Sequence, residues 1–206
     1  MKIDAEWIGK QSKGDEIALY KIVFVCDCDV KSAKLQITAC GNYTVLINGK
    51  KISYPLAPGY SCYGNRLEVQ TYQVKNLVVG QNTIEISVAP GWFKWYDWMP
   101  DLKRVNDYRS VIACLTVTDK KGNKQTIRTD QFFKVFSSKT VSSSIYDGEV
   151  YDATAEEKEK GNAEIINVDI PLINSKALVI KEHEVFYPEQ IIKTPKGELV
   201  LDFGQN

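Results

Sequence analysis

Apolar and polar residues alternate along much of the chain with a period of two, the repeat of a strand with one packed face and one wet face. Ala33, Leu35, Ile37 and Ala39 alternate with Lys34, Gln36 and Thr38, and Tyr43, Val45 and Ile47 alternate with Thr44, Leu46 and Asn48. Gly41-Asn42 marks a short turn between the two runs. Asn48-Gly49 follows the second run, and because both residues tolerate positive φ the pair predicts a tight primed turn with a returning strand over 50–53. Pro55 and Pro58 lack the N–H that a ladder needs, so residues 55–59 are expected as a fixed loop at one end of a sandwich.

The same period recurs elsewhere. Residues 17–25 are apolar on both faces and predict a central strand covered on both sides. Further strands are expected at 68–74, 83–88, 111–118, 125–129 and 132–136, punctuated by Gly80-Gln81-Asn82 and by the turn at 119–123. Residues 91–108 break the pattern: Trp92, Phe93, Trp95, Tyr96, Trp98 and Tyr108 crowd among Asp97, Asp101 and Arg104, which predicts a long aromatic loop. The serine-rich residues 137–144 read as a traverse. Residues 155–161 form the one short helix candidate, acidic early and lysine-rich late, or else a charged link. Strand-like runs return at 177–181, 189–193 and 198–203. The pattern therefore predicts an all-β protein, an antiparallel jelly-roll β-sandwich occupying residues 1–153. Residues 154–206 are expected as a linker and the first strands of a second β-unit. Leu199, Leu201 and Phe203 alternate to the last residues, so the polypeptide is expected to continue past Asn206.

Composition narrows the function classes. A chain of 206 residues buries enough surface to fold without staples. Its 26 basic and 26 acidic residues cancel, which argues against a nucleic-acid or membrane-surface binder held by bulk electrostatics. No apolar run has the length of a membrane span, and the first ten residues lack a secretory signal pattern. Five cysteines, Cys26, Cys28, Cys40, Cys62 and Cys114, are an odd number without framework spacing and read as free thiols. The single histidine, His183, excludes a multi-histidine zinc site and a histidine-based triad.

Two regions carry candidate chemistry. Asp147, Glu149 and Asp152 are the candidate carboxylates, flanked by Tyr146 and Tyr151. An inverting glycosidase needs two carboxylates roughly 6.5 to 9.5 Å apart. Asp147 and Glu149 are instead two residues apart on an extended chain, with Asp147-Gly148 reading as a turn whose aspartate caps its own backbone, so no catalytic residue is assigned. The three carboxylates also suit calcium, which takes several oxygen ligands. In the aromatic loop, the faces of Trp92, Trp95 and Trp98 could stack on a sugar ring while Asp97 or Asp101 accepts from a hydroxyl. The alternative is that these tryptophans pack against a neighbouring domain or plug the sandwich end.

The strings Asn42-Tyr43, Ile47-Asn48-Gly49-Lys50, Leu56-Ala57-Pro58-Gly59, Gln70-Thr71-Tyr72-Gln73-Val74 and Gly91-Trp92 resemble, in content and order, the galactose-binding-like jelly roll of carbohydrate-active enzymes. Ile127-Arg128-Thr129-Asp130, Tyr146-Asp147-Gly148-Glu149, Tyr151-Asp152-Ala153 and Asp202-Phe203-Gly204-Gln205-Asn206 narrow this to the N-terminal, non-catalytic region of bacterial α-L-rhamnosidases, glycoside hydrolase family 78. Thr154 and Phe132-Phe133 depart from the arginine and tryptophan usual there.

The resemblance implies a module of a longer inverting glycosidase whose acid and base lie in an α/α-barrel outside this chain. Its implied partners are that barrel, in the same polypeptide, and a rhamnose-containing glycoside. No cofactor is implied except calcium, by analogy with calcium-dependent rhamnose-binding modules of such enzymes. A periplasmic or secreted location is expected, with a cytoplasmic one as the alternative suggested by the free thiols. Three readings follow: a sugar-assisting sandwich, a purely structural scaffold between domains, and a free-standing enzyme, for which the chain offers no second acid cluster.

Overall fold

A computed structural model describes residues 1–27, 29–96, 107–176 and 179–204, without the side chains of Trp95 and Tyr96. The described chain runs β1 (Ile8–Gly9), β2 (Ala18–Cys26), β3 (Val30–Cys40), β4 (Asn42–Ile47), β5 (Lys50–Lys51), β6 (Leu67–Gln73) and β7 (Gly80–Ala89), then a 3-10 helix at Gly91–Tyr96. There follow β8 (Ser110–Asp119), β9 (Lys124–Arg128), β10 (Lys134–Phe136), β11 (Thr140–Ser144) and β12 (Gly148–Tyr151). The last strands are β13 (Glu159–Asn162), β14 (Glu164–Ile165), β15 (Leu172–Asn174), β16 (Gln190–Lys193) and β17 (Leu199–Asp202).

Two sheets make the sandwich. One has the order β14-β1-β8-β3-β6-β15, with β9 also paired to β8; the other has the order β13-β10-β2-β7-β4-β5. The pairings are antiparallel except that of β15 with β6. The period-two pattern explains the core: Leu35 and Ile37 of β3 lie opposite Leu115 and Ala113 of β8, and Tyr20 of β2 and Val45 of β4 both lie opposite Ile86 of β7. These residues belong to one buried apolar cluster that spans both sheets.

The chain changes sheets at Gly41. β3 ends at Cys40 in one sheet and β4 starts at Asn42 in the other, with Gly41 at φ 127°. A β-carbon there would stand 2.1 Å from the Ala89 carbonyl oxygen, so only glycine lets the two backbones approach. Opposite this corner, Gly91 has φ 51°, and a β-carbon on it would meet Asn42 Oδ1 at 2.5 Å.

Several expectations are corrected. β2 is central in its sheet but covered on its second face only at Leu19, which is buried, whereas Val23 is 56% exposed and Val25 51% exposed further along the same face. Residues 155–161 are not helical. Glu159–Asn162 is a strand on β10, and Ser137 ties the approach by donating its N–H to the Lys158 carbonyl while its hydroxyl accepts from the Lys158 N–H. Edge pairing thus overrides helical propensity. The aromatic stretch begins as a 3-10 helix rather than a loop, and the serine-rich traverse contains β11, half of a hairpin with β12. The strand expected at 177–181 does not form over 179–181, and residues 177 and 178 lie outside the described residues.

Strand pairing carries the sandwich past the expected division at 153/154. β13 and β14 join its two sheets and β15 joins β6, while Ala163, Val168 and Ile170 are buried beneath them. The β16–β17 hairpin pairs only with itself.

Candidate functional site

After β5 the chain enters the proline loop, which side chains hold in place. The Tyr43 N–H donates to the Ala57 carbonyl at 2.6 Å, and the Gln70 amide donates to the Pro58 carbonyl at 2.9 Å. Leu56 at φ 53° and Gly59 at φ 90° close the turn, and the Ala57-Pro58 bond is cis. Beneath it, the Tyr43 hydroxyl donates to Gln70 Oε1 at 3.1 Å and lies 2.9 Å from the Tyr72 hydroxyl. Burial pushes the Tyr43 and Tyr72 phenols above their ordinary range, so both stay neutral donors and acceptors across physiological pH.

Trp92 approaches this loop from the 3-10 helix. Phe93, one residue on, is buried edge-on against Tyr63, with ring centroids 5.1 Å apart. Lys94 pairs with Asp15 at 2.8 Å and pins the same turn to the segment before β2. Tyr60 then stands between Trp92 and Tyr63, edge-on to both, at 6.3 and 6.1 Å. The result is an open groove of about 250 Å³ between the proline loop, Trp92, Ser175, Val179 and Ile180. Its lining is mainly aromatic and aliphatic, with Tyr54, Leu56, Tyr60, Trp92, Val179 and Ile180 exposing apolar surface, and no charged side chain takes part among the described residues. Gln70 is engaged as above, and the Ser175 hydroxyl donates to Glu68 at 2.9 Å; Tyr54, Tyr60 and Trp92 add phenol and indole N–H groups to the lining.

The other candidate region is the β11–β12 hairpin. Its tip is organised by Ser144, whose hydroxyl accepts from the N–H groups of Tyr146 and Asp147 at 3.3 and 3.1 Å and donates to Asp147 Oδ2 at 3.1 Å. The expected self-capping by Asp147 is therefore replaced by capping from Ser144. Glu149 lies opposite Ser143, and Tyr146, Glu149 and Tyr151 are exposed. Asp152 turns back on the chain: its Oδ1 accepts from the Thr154 N–H at 2.9 Å and the Thr154 hydroxyl at 2.6 Å, which holds the carboxyl below its ordinary range. Thr154, where arginine is usual in the resembled family, has this local role. Among the described residues, no three Asp, Glu, His or Cys side chains gather as a metal ion would require.

The structure thus places Trp92 in a built groove and leaves Tyr146, Asp147, Glu149, Tyr151 and Asp152 on a separate hairpin that contributes nothing to its lining. Asp97, Trp98 and Asp101 lie outside the described residues, as does the Trp95 side chain. Sequence reasoning missed Tyr54, Tyr60, Gln70 and Ser175. The first two had a legible signal, tyrosines bracketing Pro55 and Pro58, whereas Ser175 reaches the groove only through the parallel pairing of β15 with β6.

Residues 28–189 match the family model of the α-L-rhamnosidase N-terminal domain. The chain belongs to this family. It is 36% identical over 167 residues to an α-L-rhamnosidase of Formosa agariphila, covering 74% of this chain and 18% of that protein. The crystal structure of native α-L-rhamnosidase from Aspergillus terreus superposes with a TM-score of 0.79 at 26% identity, over 98% of this chain and 26% of that one. The α-L-rhamnosidase of Streptomyces avermitilis, solved with L-rhamnose, superposes at 0.75 with 23% identity over 93% of this chain and 20% of that one, a likeness of fold. The chain spans about a fifth to a quarter of the length of the curated relatives it matches.

Proposed function

We propose that this rhamnosidase N-terminal domain is a non-catalytic β-sandwich module of an α-L-rhamnosidase polypeptide, and that it helps hold the rhamnoside while docking against the catalytic α/α-barrel. The observation that carries this reading is the family match across 28–189 in a chain a fraction of its relatives' length. The aromatic groove supports carbohydrate recognition, since Tyr60 and Trp92 offer ring surface on which the C–H face of a pyranose can stack. Rhamnoside hydrolysis needs an acid and a base in register across the glycosidic bond, and no carboxylate lines the groove among the described residues.

The experiment is hydrolysis of an aryl α-L-rhamnoside by the 206-residue chain, by a longer polypeptide that carries the barrel, and by that longer polypeptide with Trp92→Ala. We expect no turnover from the first, turnover from the second, and a raised KM with little change in kcat from the third. Turnover by the chain alone, lost in Glu149→Gln, would overturn the proposal.

A second reading, a structural spacer without sugar binding, is favoured by the β16–β17 hairpin. It exposes Ile191, Leu199, Val200 and Leu201, and a lone two-stranded hairpin is marginally stable in water without a covering layer. An unchanged KM in Trp92→Ala would favour that reading.

A further inference from the structure

We propose that Asp147-Gly148, at the tip of the β11–β12 hairpin, is a modification site where a succinimide forms spontaneously and isoaspartate accumulates, and that the fold shields the chemically faster pair Asn48-Gly49 from the same reaction. The proposal is independent of the sugar reading and goes beyond it.

These two are the only pairs in the sequence that place glycine after aspartate or asparagine. Glycine carries no β-carbon, so its amide nitrogen is open to the preceding side chain. In Asp-Gly that nitrogen bonds to the aspartyl Cγ while the amide proton and a carboxyl hydroxyl leave as water. Water then opens the five-membered ring at Cγ, restoring aspartate, or at the main-chain carbonyl, leaving an isoaspartyl link. In Asn-Gly ammonia leaves instead. An amide needs no prior protonation, whereas a carboxylate does, so the asparagine pair reacts faster in an unstructured chain.

The fold reverses that order. Asn48 Nδ2 donates to the Asn76 carbonyl and to Asn82 Oδ1, both at 2.9 Å, and Asn48 Oδ1 accepts from the Thr83 N–H at 2.8 Å. Its side chain cannot search for the Gly49 nitrogen without breaking all three bonds. Asp147 and Gly148 are exposed, and the Asp147 carboxylate is held by one hydroxyl, that of Ser144 at 3.1 Å. Gly49 at φ 73° and Gly148 at φ 83° both have open space where a β-carbon would stand, so the difference lies in how firmly the preceding side chain is tied. Exposed loop tips are also where chemical change is best tolerated. Ser144 lies opposite Gly148 to close the hairpin, and an isoaspartyl link inserts one extra main-chain atom into that closure. It also leaves a free α-carboxylate, the group that S-adenosylmethionine-dependent isoaspartyl methyltransferases esterify.

The test ages the 206-residue chain for weeks in warm neutral buffer, once folded and once in guanidinium chloride. Isoaspartate is counted by methyl transfer from S-adenosylmethionine with a purified isoaspartyl methyltransferase, and located by mass spectrometry of the peptides that carry residues 48 and 147. In the folded chain we expect isoaspartate at 147 to exceed that at 48 at least about tenfold, the suppression that three retained hydrogen bonds supply. In guanidinium chloride, where those bonds are gone, we expect the order to reverse. Asp147→Glu keeps the charge at an exposed position and takes the carbonyl carbon out of five-membered-ring reach, so it should remove most of the methyl transfer to the folded chain. As much isoaspartate at 48 as at 147 in the folded chain would overturn the inference, and so would undiminished methyl transfer to Asp147→Glu. A folded chain that gains isoaspartate at neither position, while the denatured sample gains it, would overturn the inference as well.

Discussion

Gly41 and Ala89 meet backbone to backbone at the corner where the chain passes from one sheet to the other, so closely that a β-carbon on Gly41 would overlap the Ala89 carbonyl oxygen at 2.1 Å. Both β4 and β7 depend on that approach, since Asn42 and Tyr43 of β4 lie opposite Ala89 and Val88 of β7. Gly41→Ala must either break the pairing there or move the corner, and it also puts a side chain at a φ that only glycine adopts at ease. We expect a loss of at least about 3 kcal/mol in urea unfolding, against about 1 kcal/mol for Gly122→Asn, where positive φ strains the residue but its β-carbon meets open space. Equal effects of the two substitutions would refute this account of the corner.

Buried phenols make the protein sensitive to alkali. Tyr20 donates to the Arg109 carbonyl inside the core, and Tyr43 and Tyr72 pair beneath the groove; burial raises all three pKa values. In the unfolded chain the same phenols ionise near pH 10. Their stabilising contribution is thus whole below that pH and is lost as pH rises above it. Of the 11 tyrosines, we expect at least these three to stay un-ionised at 295 nm until the chain unfolds, and the melting temperature to fall from about pH 10 upward. Full titration of 11 tyrosines with native circular dichroism retained would contradict the prediction.

Asp119 sets the opposite limit. Its carboxylate accepts from the Asn123 side chain and from the N–H groups of Lys121 and Asn123, which closes the β8–β9 turn and holds its pKa below the ordinary range. A depressed carboxyl contributes stability above its unfolded pKa, near 3.9, and loses it as pH falls through the folded value. Asp119→Asn should be less stable than the native chain at pH 7 and close to it at the acid end of a pH series. A gap that stays constant down to pH 2 would show that the charge is not the cause.

The β-sandwich was legible because period-two alternation is a local property that one buried face imposes on each strand. Leu35, Ile37, Val45 and Ile86 are core residues for the reason their spacing suggests. What the sequence concealed was non-local. Val23 and Val25 read as covered because alternation reports hydrophobicity, not the presence of a second layer. The charged residues of β13 read as helix or link because its extended form comes from pairing with β10 at the sheet edge. The groove was half visible: Trp92 stood out as an aromatic, but its partner Tyr60 lies 32 positions earlier and meets it only where the proline loop and the 3-10 helix fold to the same end. The carboxylates of the β11–β12 hairpin looked like a cluster in one dimension, yet Ser144 and Thr154 take up two of them in turns.

The extent of the folding unit gives the last prediction. β13, β14 and β15 pair with β10, β1 and β6, and Ala163, Val168 and Ile170 between them are at most 8% exposed. Each large apolar side chain so buried contributes about 1.5 to 3 kcal/mol, and a domain of this size is stable by only about 5 to 15 kcal/mol overall. A chain cut after Ala153 loses all of these contacts together with three edge strands, which is a large part of that margin. A chain cut after Ser175 keeps them, and loses the self-paired β16–β17 hairpin and the Val179–Ile180 side of the groove. We therefore expect the 175-residue form to unfold cooperatively at a denaturant midpoint close to that of the whole chain, and the 153-residue form to be unfolded or to melt far lower. Equal midpoints for the two truncations would place the boundary of the sandwich before β13 after all.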